Sequence, residues 1–110
     1  MNITAHDLFG LNHYYYGEAF YGSYQGMRYR VAADPLKRMR PDKPVEEGVK
    51  LVAAVWPEPY SWSSTADEEK REESFPFSAE GLDRAAAWLN ARYEDEKPRW
   101  EAAAEAPWTT

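Results

Sequence analysis

The chain has 110 residues, 44% of them hydrophobic, which is enough to fold as one domain around its own core. It contains no cysteine, which excludes disulfides, thiol nucleophiles and cysteine-based metal sites. The formal net charge of −6 disfavours non-specific binding to nucleic acid. Because there is no export signal or long apolar run, we expect a cytoplasmic protein that is not inserted in a membrane.

The charge is unevenly distributed along the chain. Residues 1–27 carry a net charge of −2, residues 28–50 a net charge of +3, and residues 51–110 a net charge of −7. Since contacts with phosphate need local positive charge, any nucleic acid would be expected to bind at the basic segment 28–50.

A helix is predicted from Ala5 to Tyr16, with Thr4 as its N-cap and Asp7 in a capping-box position. Gly10 weakens this helix, and three further glycines make the segment that follows it typical of a loop. The region is rich in aromatic residues, which either pack against the sheet and the helix or form a surface for a protein partner. These residues are Tyr14, Tyr15, Tyr16, Phe20, Tyr21 and Tyr24.

Three strands are predicted in the middle of the chain. Residues 27–33 alternate between apolar side chains and two arginines, which is typical of a strand with one dry and one wet face. Residues 49–56 are apolar on both faces, which predicts the centre of a sheet, and residues 73–77 predict a third strand at an edge. The basic, proline-rich segment 34–48 is predicted to be a solvated loop, and a short acidic helix is predicted after Thr65.

The clearest pattern is an amphipathic helix over residues 78–96, which begins with a good N-cap and is ended or kinked by Pro98. Its apolar stripe consists of Leu82, Ala85, Ala86, Leu89 and Tyr93. We therefore expect a single domain over residues 1–97 and a flexible or loosely docked tail over residues 98–110, unless Trp100 docks.

This order of elements, α-β-β-β-α, predicts an α+β fold of two layers. Sequential strands joined by loops most often pair as an antiparallel meander. The three-stranded meander would pack one face against the C-terminal amphipathic helix, with the N-terminal helix beside it.

Few residues suggest catalysis or metal binding. His6 and His13 lie on one face of the predicted N-terminal helix, but a metal site needs further ligands and only Asp7 is near. The hydroxyl-rich segment 61–65 has no neighbouring base, and no glycine-rich phosphate loop is present. We therefore predict no catalytic residue, cofactor or metal, with an active site formed between subunits as the alternative.

Aromatic and basic residues are the better candidates for a functional site. Trp56, Tyr60 and Trp62 flank prolines that keep the segment rigid, so their rings either cap the core or are preorganised for a partner. Trp88 lies on the flank of the long helix, one turn from an arginine on either side, which favours cation–π packing or an interface anchor. The candidate partner-binding residues are Trp56, Tyr60, Trp62, Trp88, Arg28 and Arg30.

The α-β-β-β-α order resembles that of double-stranded RNA-binding domains, which read duplex shape with two helices and a hairpin loop. Those domains have a lysine-rich start to the second helix, whereas residues 78–83 here contain Glu80 and Asp83, which disfavours duplex binding. The stretches GMRYRV, VWPEPYSW and FPFSAEGLDRAAAWLN look like parts of small proteins carried on bacterial mobile elements. That resemblance implies an accessory or counter-defence role.

These observations favour a small, non-enzymatic protein-interaction module. One alternative is an accessory protein that contacts nucleic acid through residues 28–50, where Arg28 and Arg30 share a strand face. Another is an acidic mimic of nucleic acid, suggested by the charge of residues 51–110.

Overall fold

A computed structural model of the chain describes residues 2–8, 11–36, 39, 48–58 and 60–105. It contains one antiparallel sheet in the order β1-β2-β3-β4, packed against helices. The strands are β1 (Phe20–Tyr24), β2 (Met27–Asp34), β3 (Lys50–Pro57) and β4 (Arg71–Pro76). The α+β class, the antiparallel meander and its packing against a helix are confirmed. The last three strands lie within two residues of their predicted bounds.

The first strand was missed by the sequence analysis, which assigned its residues to a loop. Gln25 and Gly26 have φ angles of 43° and 95°, so they form a two-residue turn that joins β1 to β2 directly. Gly22 lies in the strand because the ring of Tyr29 occupies the space of a side chain there: a Cβ on Gly22 would meet its Cζ at 2.4 Å. The glycines that suggested a loop therefore make a hairpin.

The long helix α2 (Ala79–Asp95) covers one face of the sheet. The Ser78 hydroxyl accepts a hydrogen bond from the Gly81 N–H at 3.0 Å, which confirms the predicted N-cap. The predicted apolar stripe is buried and packs against Met27, Val31, Leu51, Ala53 and Val55 of the sheet. This layer is the hydrophobic core.

The N-terminal segment is not the single helix that was predicted. It forms a 3-10 turn (Ala5–Leu8) and a one-turn helix α1 (Asn12–Tyr15), with Gly10 lying outside the described residues. The Thr4 N–H does donate to the Asp7 carboxylate at 2.9 Å, as the capping pattern indicated. Leu8 and Tyr14 are fully buried, so this segment closes one end of the core.

The C-terminal segment docks on the same layer. The helix α3 (Lys97–Glu105) follows a bend at Glu96, which Pro98 explains because it carries no N–H for the carbonyl of Glu94 and its ring would clash with that carbonyl in a continuous helix. Trp100 is fully buried, and its Nε1–H donates to the carbonyl of Arg92 at 3.2 Å. Residues 106–110 lie outside the described part of the chain.

Two of the segments that connect the strands also differ from the prediction or lie mostly outside the described residues. The acidic helix expected after Thr65 is only a 3-10 turn, Asp67–Glu69, preceded by another such turn, Trp62–Ser64. Most of the predicted loop 34–48 lies outside the described residues, including its basic side chains at Lys37, Arg38, Arg40 and Lys43.

Candidate functional site

The face of the sheet opposite α2, here called the open face, presents side chains from all four strands; β4 contributes Glu72, which lies opposite Ala54, itself opposite Arg30. In an antiparallel sheet, residues directly opposite each other point to the same side. One row across the open face consists of Ser23, Arg28 and Trp56, and the next contains Tyr21 and Arg30. The wet face predicted for β2 is therefore shared by β1 and β3.

The segment after β3 folds back over this face. The ring of Trp62 lies edge-on to that of Trp56, with centroids 5.3 Å apart. The Trp56 Nε1–H donates to the carbonyl of Tyr60 at 2.8 Å, which fixes the start of the segment. Trp56 is only 2% exposed, so it is the support on which the segment rests.

Two cations contact the ring of Trp62. The Cζ of Arg30 lies 4.9 Å from the ring centroid, and the Nζ of Lys70 lies 4.0 Å from it. The Arg30 Nε–H also donates to the Tyr21 hydroxyl at 3.1 Å. We call the group formed by these contacts the cationic aromatic cluster; it consists of Tyr21, Arg28, Arg30, Trp56, Trp62 and Lys70.

The arginines of this cluster contrast with two arginines near the C-terminus, which are paired with carboxylates. Within the described residues, neither Arg28 nor Arg30 forms an ion pair, whereas the guanidinium of Arg92 lies 2.6 Å from Asp95 and that of Arg99 lies 3.3 Å from Glu96. The Nε of Arg28 is buried and has no hydrogen-bond partner among the described residues. Buried polar groups are normally paired, so this atom marks a place where a ligand group would be favourable.

A cleft of about 370 Å³ opens beside the cluster. Its walls include Tyr21, Arg28, Trp56, Ser61, Trp62 and Ser63. The ring of Tyr21, which is 56% exposed, forms part of its wall. The cleft thus combines aromatic walls with an arginine that has no counter-ion in the described part of the chain, an arrangement suited to holding an anionic group.

The structure brings together five of the six candidate residues from the sequence. Trp62, Arg28 and Arg30 belong to the cluster directly, Trp56 supports it from below, and the exposed Tyr60 contacts it through its backbone carbonyl. Trp88 lies in the other layer, edge-on to Phe75 with centroids 6.4 Å apart. The Cζ of Arg92 is 5.9 Å from its ring, which agrees with the predicted cation–π contact.

Two cluster members were not found from the sequence. Tyr21 would have followed from recognising the two-residue turn, because that turn fixes which residue of β1 lies opposite Arg30. The sequence does not indicate that Lys70 belongs to the cluster, since its contact with Trp62 depends on the path of the segment between β3 and β4.

A larger cavity of about 560 Å³ lies between the N-terminal segment and the start of α2. Its polar walls include His6, Asp7 and Asp83. The carboxylate of Asp7 is already bonded to Thr4, and these hydrogen bonds lower its pKa. Across the described residues, no three histidine or acidic side chains are placed to hold a metal ion. This cavity is therefore the weaker candidate.

No protein-family model, curated protein or solved structure matches the chain. Within the described part of the chain, no helix is both long enough and apolar enough to span a membrane.

Proposed function

We propose that the chain is a non-enzymatic interaction module that binds another protein through the cationic aromatic cluster. The observation that carries this proposal is the pair of guanidinium groups, on Arg28 and Arg30, that share the open face and have no carboxylate partner among the described residues. The cluster contains no histidine or carboxylate, so it supplies binding groups without a group that transfers protons near neutral pH.

The composition of the cluster is that of a protein interface. Tryptophan, tyrosine and arginine are the residues that most often dominate binding energy, especially beside a pocket. Trp62 is held by Trp56, Arg30 and Lys70, so little of its conformational freedom remains to be lost on binding. The two arginines favour a partner with an acidic segment.

A second candidate function is contact with single-stranded nucleic acid. It is favoured by the exposed ring of Tyr21 on the same face as Arg30, since aromatic stacking and arginine contacts are how such strands are held. The net charge of −7 over residues 51–110 opposes it, and for this reason we place the protein partner first.

The test is a pull-down with tagged protein at two salt concentrations, with and without nuclease, in which captured proteins are quantified by mass spectrometry. The double variant Arg28→Glu/Arg30→Glu reverses the charge of the cluster. Arg84→Glu is the matched control, because Arg84 is exposed on α2 and has no ion pair among the described residues.

A protein partner that resists nuclease, is lost with the double variant and is retained by Arg84→Glu supports the proposal. Retention of the same partner by the double variant contradicts it. Loss of all captured material on nuclease treatment favours the second candidate.

A further inference from the structure

Within the described part of the chain, no other strand pairs with the outer edge of β1. Because the β1–β2 turn has two residues, Tyr24 and Met27 form a hydrogen-bonded pair, and such pairs alternate along the ladder. The backbone groups of Tyr21 and Ser23 therefore point away from β2. In the described residues, neither takes part in a backbone hydrogen bond outside the strand ladder.

The two edges of the sheet differ in how they are protected. The edge strand β4 carries Arg71, Glu72 and Glu73 and ends at Pro76, and both charge and proline discourage the addition of another strand. The sequence of β1, FYGSY, has no charge and no proline. The β1 edge is therefore the one suited to pairing with a further strand.

The residue type that such a strand would present is indicated by Arg28. Ser23 lies directly opposite Arg28 and is exposed. A residue added opposite Ser23 would have its Cα about 10 Å from that of Arg28, which is the sum of one non-hydrogen-bonded and one hydrogen-bonded spacing. Arginine and glutamate side chains can meet across that distance, and serine between them is too small to block the contact.

We propose that an extended acidic segment of a partner protein pairs with β1 as a fifth strand, placing a carboxylate opposite Ser23 where Arg28 binds it. This rests on the proposed function and specifies the partner: backbone hydrogen bonds to Tyr21 and Ser23 give affinity, and the charge of Arg28 gives preference. The unpaired Nε of Arg28 and the cleft beside it accommodate the carboxylate.

The probe is a phage-displayed library of random peptides selected against the whole chain. We expect selected peptides to place acidic residues at alternate positions. Ser23→Pro should weaken their binding by roughly tenfold or more, because it removes an outward N–H without removing a β1–β2 hydrogen bond. Ser23→Thr is the matched control and should bind as the wild type does, since it keeps that N–H.

Arg28→Glu provides a test that does not depend on Ser23→Pro folding. The variant should lose the acidic peptides and bind their lysine-substituted counterparts, because the charge preference is inverted. In the wild-type protein, the amides of Tyr21 and Ser23 should exchange more slowly with deuterium when an acidic peptide is bound.

Selection of peptides without acidic alternation, or binding that is unaffected by Ser23→Pro in folded protein, overturns the strand-pairing proposal. Self-association through β1, seen as a dimer in sedimentation that Ser23→Pro abolishes, also overturns it by assigning the edge to a second copy. If the natural partner is lost with Arg28→Glu/Arg30→Glu but kept with Ser23→Pro, the proposed function stands and only this inference fails.

Discussion

Replacing Trp100 with alanine tests whether the C-terminal helix is part of the domain. Trp100 is fully buried, and its Nε1–H bonds to the Arg92 carbonyl. Replacing a buried tryptophan with alanine lowers the free energy of unfolding by about 3–5 kcal/mol. This is a large share of the total for a typical domain, which is about 5–15 kcal/mol. With a urea dependence of about 1.5 kcal/mol per molar, the midpoint of unfolding should fall by about 2–3 M.

The assay is urea unfolding followed by circular dichroism, which does not depend on the removed fluorophore. Glu101→Ala is the control, since its side chain is exposed on the same helix and its loss should change the free energy of unfolding by about 0.5 kcal/mol or less. A loss of less than about 1 kcal/mol for Trp100→Ala would show that α3 is a loosely docked tail, and the reasoning from burial would be refuted.

Three further predictions concern a turn glycine, the N-cap of α2 and one buried tyrosine. In thermal unfolding, Gly26→Ala should lower the free energy of unfolding by more than about 2 kcal/mol, because the φ of Gly26 is 95° and the added Cβ would collide with the Trp100 carbonyl. Gly48→Ala is the control: its φ is 89° but the space around it is open, so it should cost only about 1–2 kcal/mol. Ser78→Ala should cost about 1 kcal/mol and Ser78→Asp almost nothing, measured by urea unfolding. Burial raises the pKa of Tyr14 above its usual value near 10, so the unfolded chain loses this proton at a lower pH than the folded protein does. The free energy of unfolding should therefore be undiminished below about pH 10 and fall above it. Tyr14→Phe should reduce that fall in urea titrations between about pH 9 and about pH 11.5.

The sequence predicts an element of the fold well where residues within that element are enough to determine its type and its bounds. Ser78 and the stripe of α2 agree on where the helix starts and which side is buried, and burial of Leu82 and Leu89 follows from spacing alone. The apolar strand β3 is equally clear, because the run between Gly48 and Pro57 is apolar except for Lys50, a pattern typical of a strand buried on both faces.

The parts that are predicted poorly depend on contacts between distant residues. Gly22 is read as a loop residue until the ring of Tyr29 is known to lie against it. The N-terminal helix appears continuous in sequence, yet Ile3 is fixed by two hydrogen bonds with Asn90 and Tyr14 by a bond to the Leu8 carbonyl, so tertiary contacts decide its path.

The candidate site shows the same division. Arg28 and Arg30 share a face because strand period places them there, and this is visible in the sequence. Trp56 alternates onto that same face, but its near-complete burial depends on Trp62 lying over it, which no local pattern predicts. The positions of Arg28 and Arg30 on the strand face were therefore predicted, and the packing of the segment with Trp62 over that face was not.

The contact between Gly26 and the Trp100 carbonyl also bears on how the chain folds during its synthesis. The β1–β2 hairpin leaves the ribosome early, but the helix against which its turn rests is complete only after Trp100 has emerged. At about 5–20 residues per second, that interval lasts several seconds. Throughout it the hairpin, with its uncharged β1 edge, belongs to a nascent chain whose core is incomplete, and an exposed strand edge is a template for pairing with another chain.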